Sequence, residues 1–188
     1  PYRIGTGQDL WVQDLEVTHS GGRQLDPEQV GARFEEAFFA AWNGLAESDG
    51  FNRLVLAAGL GWRQAMIIRA VCRYLLQTGL PFSQRYMESV LARQPGIAAK
   101  LVWTFEAKFD PDLKDATRAA QLRSLGRELD EAFEQVTSPD DDRILRAFRA
   151  VIATALRTNH FQRDAAGAPK GYLSFKLDPK QLVELPKP

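Results

Sequence analysis

The sequence of 188 residues predicts a mainly α-helical fold, a multi-helix bundle or connector with short β-strands at its N- and C-terminal ends. Apolar residues recur every three or four positions through most of the chain, a spacing that places them on one face of a helix. Alternation of apolar and polar residues, which is typical of a half-buried strand, is found only towards the two ends. The apolar content of 45% and the charged content of 26% fit a globular protein.

The first predicted elements are one strand and one long amphipathic helix. Residues 9–18 (DLWVQDLEVT) are rich in Val, Leu and Trp, and they predict one strand, whose partners are expected either far along the chain or in a part outside it. Asp26 suits the N-cap of a helix, Pro27 suits its first position, and Gln29 can complete a capping box. The helix is predicted to run to about Glu47. Its apolar face consists of Val30, Phe34, Phe38, Ala41 and Leu45.

The middle of the chain predicts four more helices after an ambiguous stretch at residues 51–58, which fits either a strand or a short helix. The clearest helix covers residues 62–78, and Gly79 and Pro81 follow it. Ser83 suits the N-cap of a short helix that ends before Pro95. Two further helices are predicted, one from residue 97 to 109 and a charge-rich one from residue 112 to 136.

The last predicted helix has the strongest start signal, with Ser138 at the N-cap, Pro139 at the first position and acids after it. Asn159 is its expected C-cap. Its expected core stripe is Ile144, Phe148, Val151, Ile152, Ala155 and Leu156. Residues 162–170 predict a flexible loop, and residues 171–178 predict a strand. In that strand Leu173, Phe175 and Leu177 alternate with polar neighbours.

The Gly-Leu-Gly at residues 59–61 follows an apolar run and imitates a dinucleotide-binding turn. That fingerprint needs a third glycine three residues after the second, where this chain has Gln64. It also needs an acidic residue about 20 positions further on, at the end of a second strand, and residues 78–82 (TGLPF) contain none. We therefore expect Gly59 and Gly61 to break one helix and start the next. No cofactor-binding residue is predicted in the chain.

No catalytic or metal-binding constellation is predicted either. His19 and His160 lie in or beside loops, without a spacing that would bring three metal ligands together. The acids at 140–142 are explained by the start of a helix. We therefore assign no catalytic residue and no metal ligand.

A competing functional class is a DNA-binding or independent helical interaction module. Residues 82–97 have the order helix, turn, helix, with Arg85 and Arg93 available for phosphates. However, Tyr86, Met87, Val90, Ile97 and Leu101 occupy most of the helix faces, which favours two core helices. Nucleic acid is therefore not the expected partner.

Charge and cysteine usage favour an internally paired protein of a reducing compartment. The net charge is −5 over residues 1–60, +5 over 61–100, −6 over 101–142 and +6 over 143–188, so neighbouring segments can attract one another. Arg69 and Arg73 are expected to face acids of residues 128–134 or of a neighbouring domain. Cys72 is the only cysteine and sits among apolar residues, which indicates a buried thiol and a cytoplasmic protein. No apolar run is long enough to span a membrane.

Three stretches carry a resemblance to a known family: residues 51–91, residues 138–162, which contain DDRILR and LRTNHFQ, and residues 172–188, which contain SFKLD. Together they resemble the large bacterial class of NAD-dependent glutamate dehydrogenase, over residues 34–188 and more weakly over residues 11–17. The chain begins with Pro1 rather than Met, and we expect it to be an excerpt of a longer protein.

The resemblance implies a three-part organisation. Residues 1–20 would be the terminal strand of an ACT-like regulatory domain, residues 26–160 a helical domain, and residues 171–188 a strand entering the catalytic domain. The longer protein would be a homo-oligomeric oxidoreductase that uses NAD, whereas this segment would be a non-catalytic scaffold without its own cofactor. Its partners would be the neighbouring ACT-like and catalytic domains. The helix predicted at residues 139–158, with Leu156 buried, would support the strand at residues 172–177.

Overall fold

Helices dominate the secondary structure of the residues that the structure, a computed structural model, describes: 2–5, 9–12 and 25–182. This confirms the predicted fold class. The helices are α1 (Pro27–Trp42), α2 (Arg53–Ala57), α3 (Trp62–Gln77), α4 (Gln84–Arg93), α5 (Pro95–Phe109), α6 (Asp115–Phe133) and α7 (Pro139–Thr154). The strands are β1 (Tyr2–Gly5), β2 (Asp9–Val12), β3 (Ala155–Thr158) and β4 (Phe175–Leu177). Two compact units divide the chain, residues 1–31 and residues 32–188.

The first unit contains an antiparallel hairpin, in which β1 pairs with β2. The register places Tyr2 opposite Val12 and Gly5 opposite Asp9. The strand predicted at residues 9–18 is therefore present at its beginning. Its partner is the adjacent β1, so the expectation of a partner far along the chain or outside it is wrong. Residues 13–18 of that prediction lie outside the described residues.

Helix α1 begins as predicted, because the carboxylate of Asp26 accepts a hydrogen bond from the backbone N–H of Glu28 at 3.0 Å. It ends at Trp42, earlier than the expected Glu47, and Gly44 follows with a φ of 71°. Only Ala40 of this helix is buried. Its apolar face is therefore largely exposed in the part of the chain that is described.

The two glycines at 59 and 61 separate α2 from α3, as the sequence predicts. Gly59 has a φ of +68°, a conformation that L side chains rarely adopt, and it turns the chain after the short helix. Gly61 is the N-cap of α3, and its N–H donates to the side-chain oxygen of Gln64 at 2.9 Å. Gln64 thus satisfies one of the backbone donors at the start of the helix.

The hydrophobic core lies among α2 to α7 in the second unit. Its largest fully buried side chains include Phe51, Phe105, Phe148, Leu54, Ile67, Ile68, Leu75, Met87, Leu91, Leu101 and Leu129. Cys72 is fully buried among them, and burial raises the pKa of its thiol to about 12. The thiol is therefore protonated at neutral pH and unsuited to nucleophilic chemistry, as the sequence predicts. Among the described helices, none is both long and apolar enough to cross a membrane.

The end of α7 differs from the prediction. The helix stops at Thr154, its C-cap is Ala155 rather than Asn159, and residues 155–158 form β3. Leu156 was expected in the core stripe, but it is 49% exposed. The spacing of Ile144, Phe148 and Ile152 does extend to residue 156. However, the backbone groups of β3 bond to β4, about 20 residues later, and this long-range pairing overrides the local helical pattern.

Candidate functional site

The second antiparallel hairpin, β3 with β4, packs on the helical core through a set of polar and aromatic contacts that we call the junction. Its members from the core are Arg63 and Gln64 of α3 and Glu106 and Lys108 of α5. Its members from the C-terminal part are the end of α7, Asn159, His160 and Lys170. The junction is the place where the helical core determines the position of the last described strand.

Arg63 connects the start of α3 to both ends of the loop between the strands. Its guanidinium donates to the backbone oxygen of Lys170 at 2.9 Å and to that of His160 at 3.5 Å. Burial, and then the nearby Arg163, lower the pKa of Arg63. Because an arginine stays charged even so, two backbone oxygens of the loop are held by one partly buried cation.

Glu106 is the central acid of the junction. The side-chain amide of Gln64 donates to its two oxygens at 3.1 and 2.9 Å, and Nε2 of His160 lies 3.7 Å from it. The His160 side chain is only 9% exposed and its ring meets that of Phe105 edge-on, with centroids 5.9 Å apart. The imidazole is therefore fixed by a carboxylate on one side and an aromatic ring on another.

Lys108 caps the C-terminal end of α7. Its ammonium donates to the backbone oxygens of Ile152 and Ala153 in the last turn, and that of Ile152 also accepts from the N–H of Ala155. A cation at this end also meets the negative pole of the helix. Burial lowers the pKa of Lys108, so the contact is made by a partly desolvated group. The position where α7 ends and β3 begins is thereby fixed from α5.

The side chain of Asn159 stabilises the hairpin through hydrogen bonds to the backbone that precedes β4. Its amide donates to the backbone oxygen of Tyr172 at 3.0 Å, and its carbonyl accepts from the N–H of Ser174 at 2.7 Å. The local pattern predicted a helix C-cap at this residue. The structure shows that it instead joins the two chains of the hairpin across the loop.

A second polar contact fixes the other end of α7. Asp141 is 5% exposed, and Arg93 of α4 donates two hydrogen bonds to its oxygens at 2.9 and 2.8 Å. The hydroxyl of Tyr86 lies 3.1 Å from the same carboxylate. Ser138 caps the helix as predicted, since its hydroxyl accepts from the N–H of Asp141. Both ends of α7 are therefore held by charged contacts from the core.

The geometry of the junction favours a structural role over a catalytic one. Glu106 and His160 are the types of residue that could transfer a proton. Yet both oxygens of Glu106 are engaged by Gln64, and the imidazole is nearly buried. In the described part of the chain, no group of three or more His, Cys, Asp or Glu could hold a metal ion. The assignment of no catalytic residue and no metal ligand stays a prediction, and the junction supports it.

The Gly-Leu-Gly turn is unsuited to a nucleotide for the same reason. Gln64 occupies the position of the missing third glycine and bonds to the N–H of Gly61. The carboxylate of Glu106 bonds to the other end of that side chain. A pyrophosphate would have to displace the amide and approach a negative charge at the start of the helix. These residues do not fit NAD.

Arg69 and Arg73 do pair with acids, as predicted. However, these acids do not belong to residues 128–134 or to a neighbouring domain, so that part of the prediction is wrong. Arg69 is 4% exposed and binds Asp49 with two hydrogen bonds at 2.6 and 2.8 Å. Arg73 pairs with Glu47 at 2.6 Å. The reason is that the stretch between α1 and α2 passes over α3 and places Asp49 and Glu47 next to these arginines.

A cavity of about 580 Å³ lies beside these arginines, between α3 and residues 171–175. Arg69, Arg73 and Tyr74 are among the side chains that line it. Because Arg69 is already paired with Asp49 and Arg73 with Glu47, the cavity presents no free cation from this pair.

The helix-turn-helix interpretation also loses support from the structure. Helices α4 and α5 are separated by Gln94 alone, and Arg93 is engaged by Asp141. A recognition helix needs an exposed face for the major groove. In α5 the buried positions are Ile97, Ala98, Ala99, Leu101, Val102, Phe105 and Ala107, which surround most of the helix.

The residues of the junction were missed because each one contacts a partner far along the chain. Gln64 and Glu106 are 42 positions apart, and Arg63 and Lys170 are 107 apart. The local signals that exist are weak. They are a glutamine three residues after a helix N-cap, and a lysine near the end of a helix.

Two family models match the chain. One is described as glutamate dehydrogenase, helical motif 3, and matches residues 46–111. The other is described as bacterial NAD-glutamate dehydrogenase, catalytic domain, and matches residues 128–188. The second match begins inside α6, whereas the sequence analysis expected the catalytic part from residue 171, and the position of that boundary stays a prediction. Arg63, Gln64 and Glu106 lie in the first match, and their partners His160 and Lys170 lie in the second.

Curated relatives agree with these matches. The chain is 35% identical to the NAD-specific glutamate dehydrogenase of Halomonas elongata over 189 aligned residues. It is 38% identical to that of Pseudomonas aeruginosa over 197 aligned residues, and in both comparisons the whole chain is covered. It is 40% identical to that of Mycobacterium tuberculosis, with 97% of the chain covered. The chain spans about 12% of the length of each of these relatives.

Proposed function

Because the chain belongs to the bacterial NAD-specific glutamate dehydrogenases, we propose that it is the scaffold that orients the approach to the catalytic domain of such an enzyme. The complete enzyme converts L-glutamate, NAD and water into 2-oxoglutarate, ammonia and NADH. The segment contributes no catalytic residue to this reaction. Its partners are the neighbouring ACT-like and catalytic domains of the same polypeptide, in a cytoplasmic homo-oligomer that engages neither nucleic acid nor membrane.

The observation that carries this proposal is the junction. It joins a region that matches a helical motif to a region that matches a catalytic domain. Arg63, Glu106 and Lys108 each contact the C-terminal region, and Lys108 and Arg93 hold the two ends of α7. A strand that leaves this hairpin therefore starts from a fixed position. Fixed geometry matters because a displacement of about 1 Å from a distant change can cost roughly a hundredfold in rate.

Replacing Arg63 by alanine in the complete enzyme should lower the turnover of glutamate. The change removes the hydrogen bonds to the backbone of His160 and Lys170 and loosens the loop before β4. We expect kcat to fall by roughly tenfold, with a smaller change in KM, because the substrate site itself is untouched. The measurement is the initial rate of NADH formation at varied glutamate.

Arg163→Ala is the matched control for this experiment. Arg163 is an exposed arginine of the same loop, and its guanidinium bonds only to the backbone of Gly167, within the loop. It should leave kcat unchanged. If Arg63→Ala retains full turnover, or if both variants lose it equally, the junction does not position the catalytic part and the proposal fails.

The chain on its own should bind neither NAD nor glutamate. The reason is that Gln64 and Glu106 occupy the start of α3, where a dinucleotide would need open backbone and no negative charge. Calorimetric titration of residues 1–188 with each compound tests this expectation. A saturable heat at sub-millimolar concentration of either compound would contradict it.

A further inference from the structure

The outer face of the hairpin formed by β3 and β4 has a different character from the inner face. Phe175 and Leu177 of β4, and Leu173 just before it, pack against the hydrophobic core. Lys176, which lies between Phe175 and Leu177 in the strand, is exposed on the other side. One face of the hairpin therefore packs against the core, and the other face is exposed to solvent.

A β-bulge places an apolar residue on the open face. Ala155 lies opposite Leu177 and Arg157 lies opposite Lys176, so two steps on β3 match one step on β4. Leu156 is the additional residue. Leu156 and the following Arg157 are both exposed, because a bulge interrupts the alternation of a strand. Bulges are frequent where a strand presents side chains to a functional contact.

The same register juxtaposes two cations. Arg157 and Lys176 are directly opposite each other, and like charges in that arrangement destabilise a hairpin. Neither has an ion-pair partner among the residues that the structure describes. Their repulsion is therefore not compensated inside the described part of the chain.

The nearby acids are directed elsewhere. Asp164 accepts hydrogen bonds from the N–H groups of Ala166 and Ala168 in its own loop. Asp178 accepts from the N–H of Lys180 and from the side chain of Gln181. Both carboxylates thus stabilise turns next to the hairpin, and neither neutralises Arg157 or Lys176.

We propose that this outer face, defined by Leu156, Arg157 and Lys176, docks on an acidic protein surface in the remaining part of the same polypeptide. The proposal rests on the proposed function, since it gives the scaffold a second contact with the rest of the enzyme. The chain spans about 12% of its relatives, so most of such a polypeptide lies outside residues 1–188. An exposed apolar side chain beside an arginine fits the composition of a protein interface.

A protein surface fits this face better than nucleic acid does. Binding to a phosphate backbone draws on many lysines and arginines and needs little apolar area. Here two opposed cations lie beside Leu156, which is 49% exposed. Carboxylates placed opposite the two cations would remove their repulsion, and an apolar partner would cover the leucine. Complementary charge would also fix the orientation of docking.

Carbodiimide cross-linking of the complete enzyme tests the proposal directly. This reagent joins an amine to a carboxylate only where the two are in salt-bridge contact. Mass spectrometry should find Lys176 joined to an Asp or Glu outside residues 1–188 of the same polypeptide. In addition, acetylation of Lys176 should be several-fold slower than that of Lys114, an exposed lysine at the N-cap of α6.

The variant Arg157→Ala, which puts no new carboxylate opposite Lys176, should weaken docking, so that Lys176 is acetylated at the rate of Lys114 and its cross-link is lost. The proposal is overturned if Lys176 reacts as fast as Lys114 in the wild type, or becomes protected only when DNA is added. It is also overturned if the cross-link joins two copies of the enzyme, as mixed isotope labelling would reveal. None of these measurements depends on turnover. If the outer face is docked but Arg63→Ala keeps full activity, the proposed scaffold role is rejected and the docking proposal stands.

Discussion

Replacing Phe148 by alanine should lower the free energy of unfolding of this chain by about 3–5 kcal/mol. Phe148 lies at the centre of α7, its side chain is fully buried, and it belongs to the continuous hydrophobic core. The substitution removes a large apolar group and leaves a cavity that the surrounding helices can only partly fill. Since domains are stable by about 5–15 kcal/mol, the loss is a large part of the total.

Leu156→Ala is the control on the same stretch of sequence. The helical spacing assigned Leu156 to the same buried stripe as Phe148, but its side chain is 49% exposed in β3. In the chain of residues 1–188 this substitution should change stability by no more than about 0.5 kcal/mol. Urea unfolding followed by circular dichroism measures both variants. Equal destabilisation of the two would show that α7 continues beyond Thr154, as the sequence alone suggested.

The helices were predictable because their signals are local. The serine and proline at 138 and 139 start α7, and the glycines at 59 and 61 separate α2 from α3. Each of these features depends on neighbouring backbone groups and can be interpreted without knowledge of the fold. The end of α7 could not be predicted in this way. Residue 156 fits the helical spacing, and only the distant β4 makes the extended conformation preferable.

The candidate site was less predictable than the fold. The alternating segment charges indicated that acidic and basic segments attract one another. Ion pairs such as Lys100–Glu128 and Arg149–Asp130 do join segments of opposite sign. The charge pattern could not identify which acid meets which base, and it assigned the wrong acids to Arg69. Junction contacts between neutral groups, such as those of Asn159 with the hairpin backbone, produce no charge signal at all.

Removal of the Arg69 side chain should be about as costly as the loss of a core aromatic. Arg69→Ala is expected to lower the free energy of unfolding by about 3–5 kcal/mol, because it leaves the carboxylate of Asp49 without its buried partner. The two side chains are 5% and 14% exposed. Arg69 also donates to the side-chain oxygen of Asn52 at 2.9 Å, so the substitution releases the whole stretch that precedes α2 from α3.

Arg73→Ala, one turn further along the same helix, is the matched control. Its pair with Glu47 is 59% and 48% exposed, and an exposed ion pair contributes less than about 1 kcal/mol. Thermal and urea unfolding of the two variants should therefore differ clearly. A loss at Arg73 as large as that at Arg69 would mean that the sum of the surface charges, rather than the buried contact, holds the stretch in place.

A double-mutant cycle separates the buried pair from other effects of the substitutions. Asp49 has a second role, since its carboxylate accepts from the backbone N–H of Phe51 at 3.0 Å and caps the short helical turn at residues 50–52. Asp49→Ala should therefore be destabilising on its own. The double variant Arg69→Ala with Asp49→Ala leaves neither charge buried without a partner, so its cost should be well below the sum of the two single costs. Additive costs would contradict the pairing, because two residues that act independently show no coupling energy.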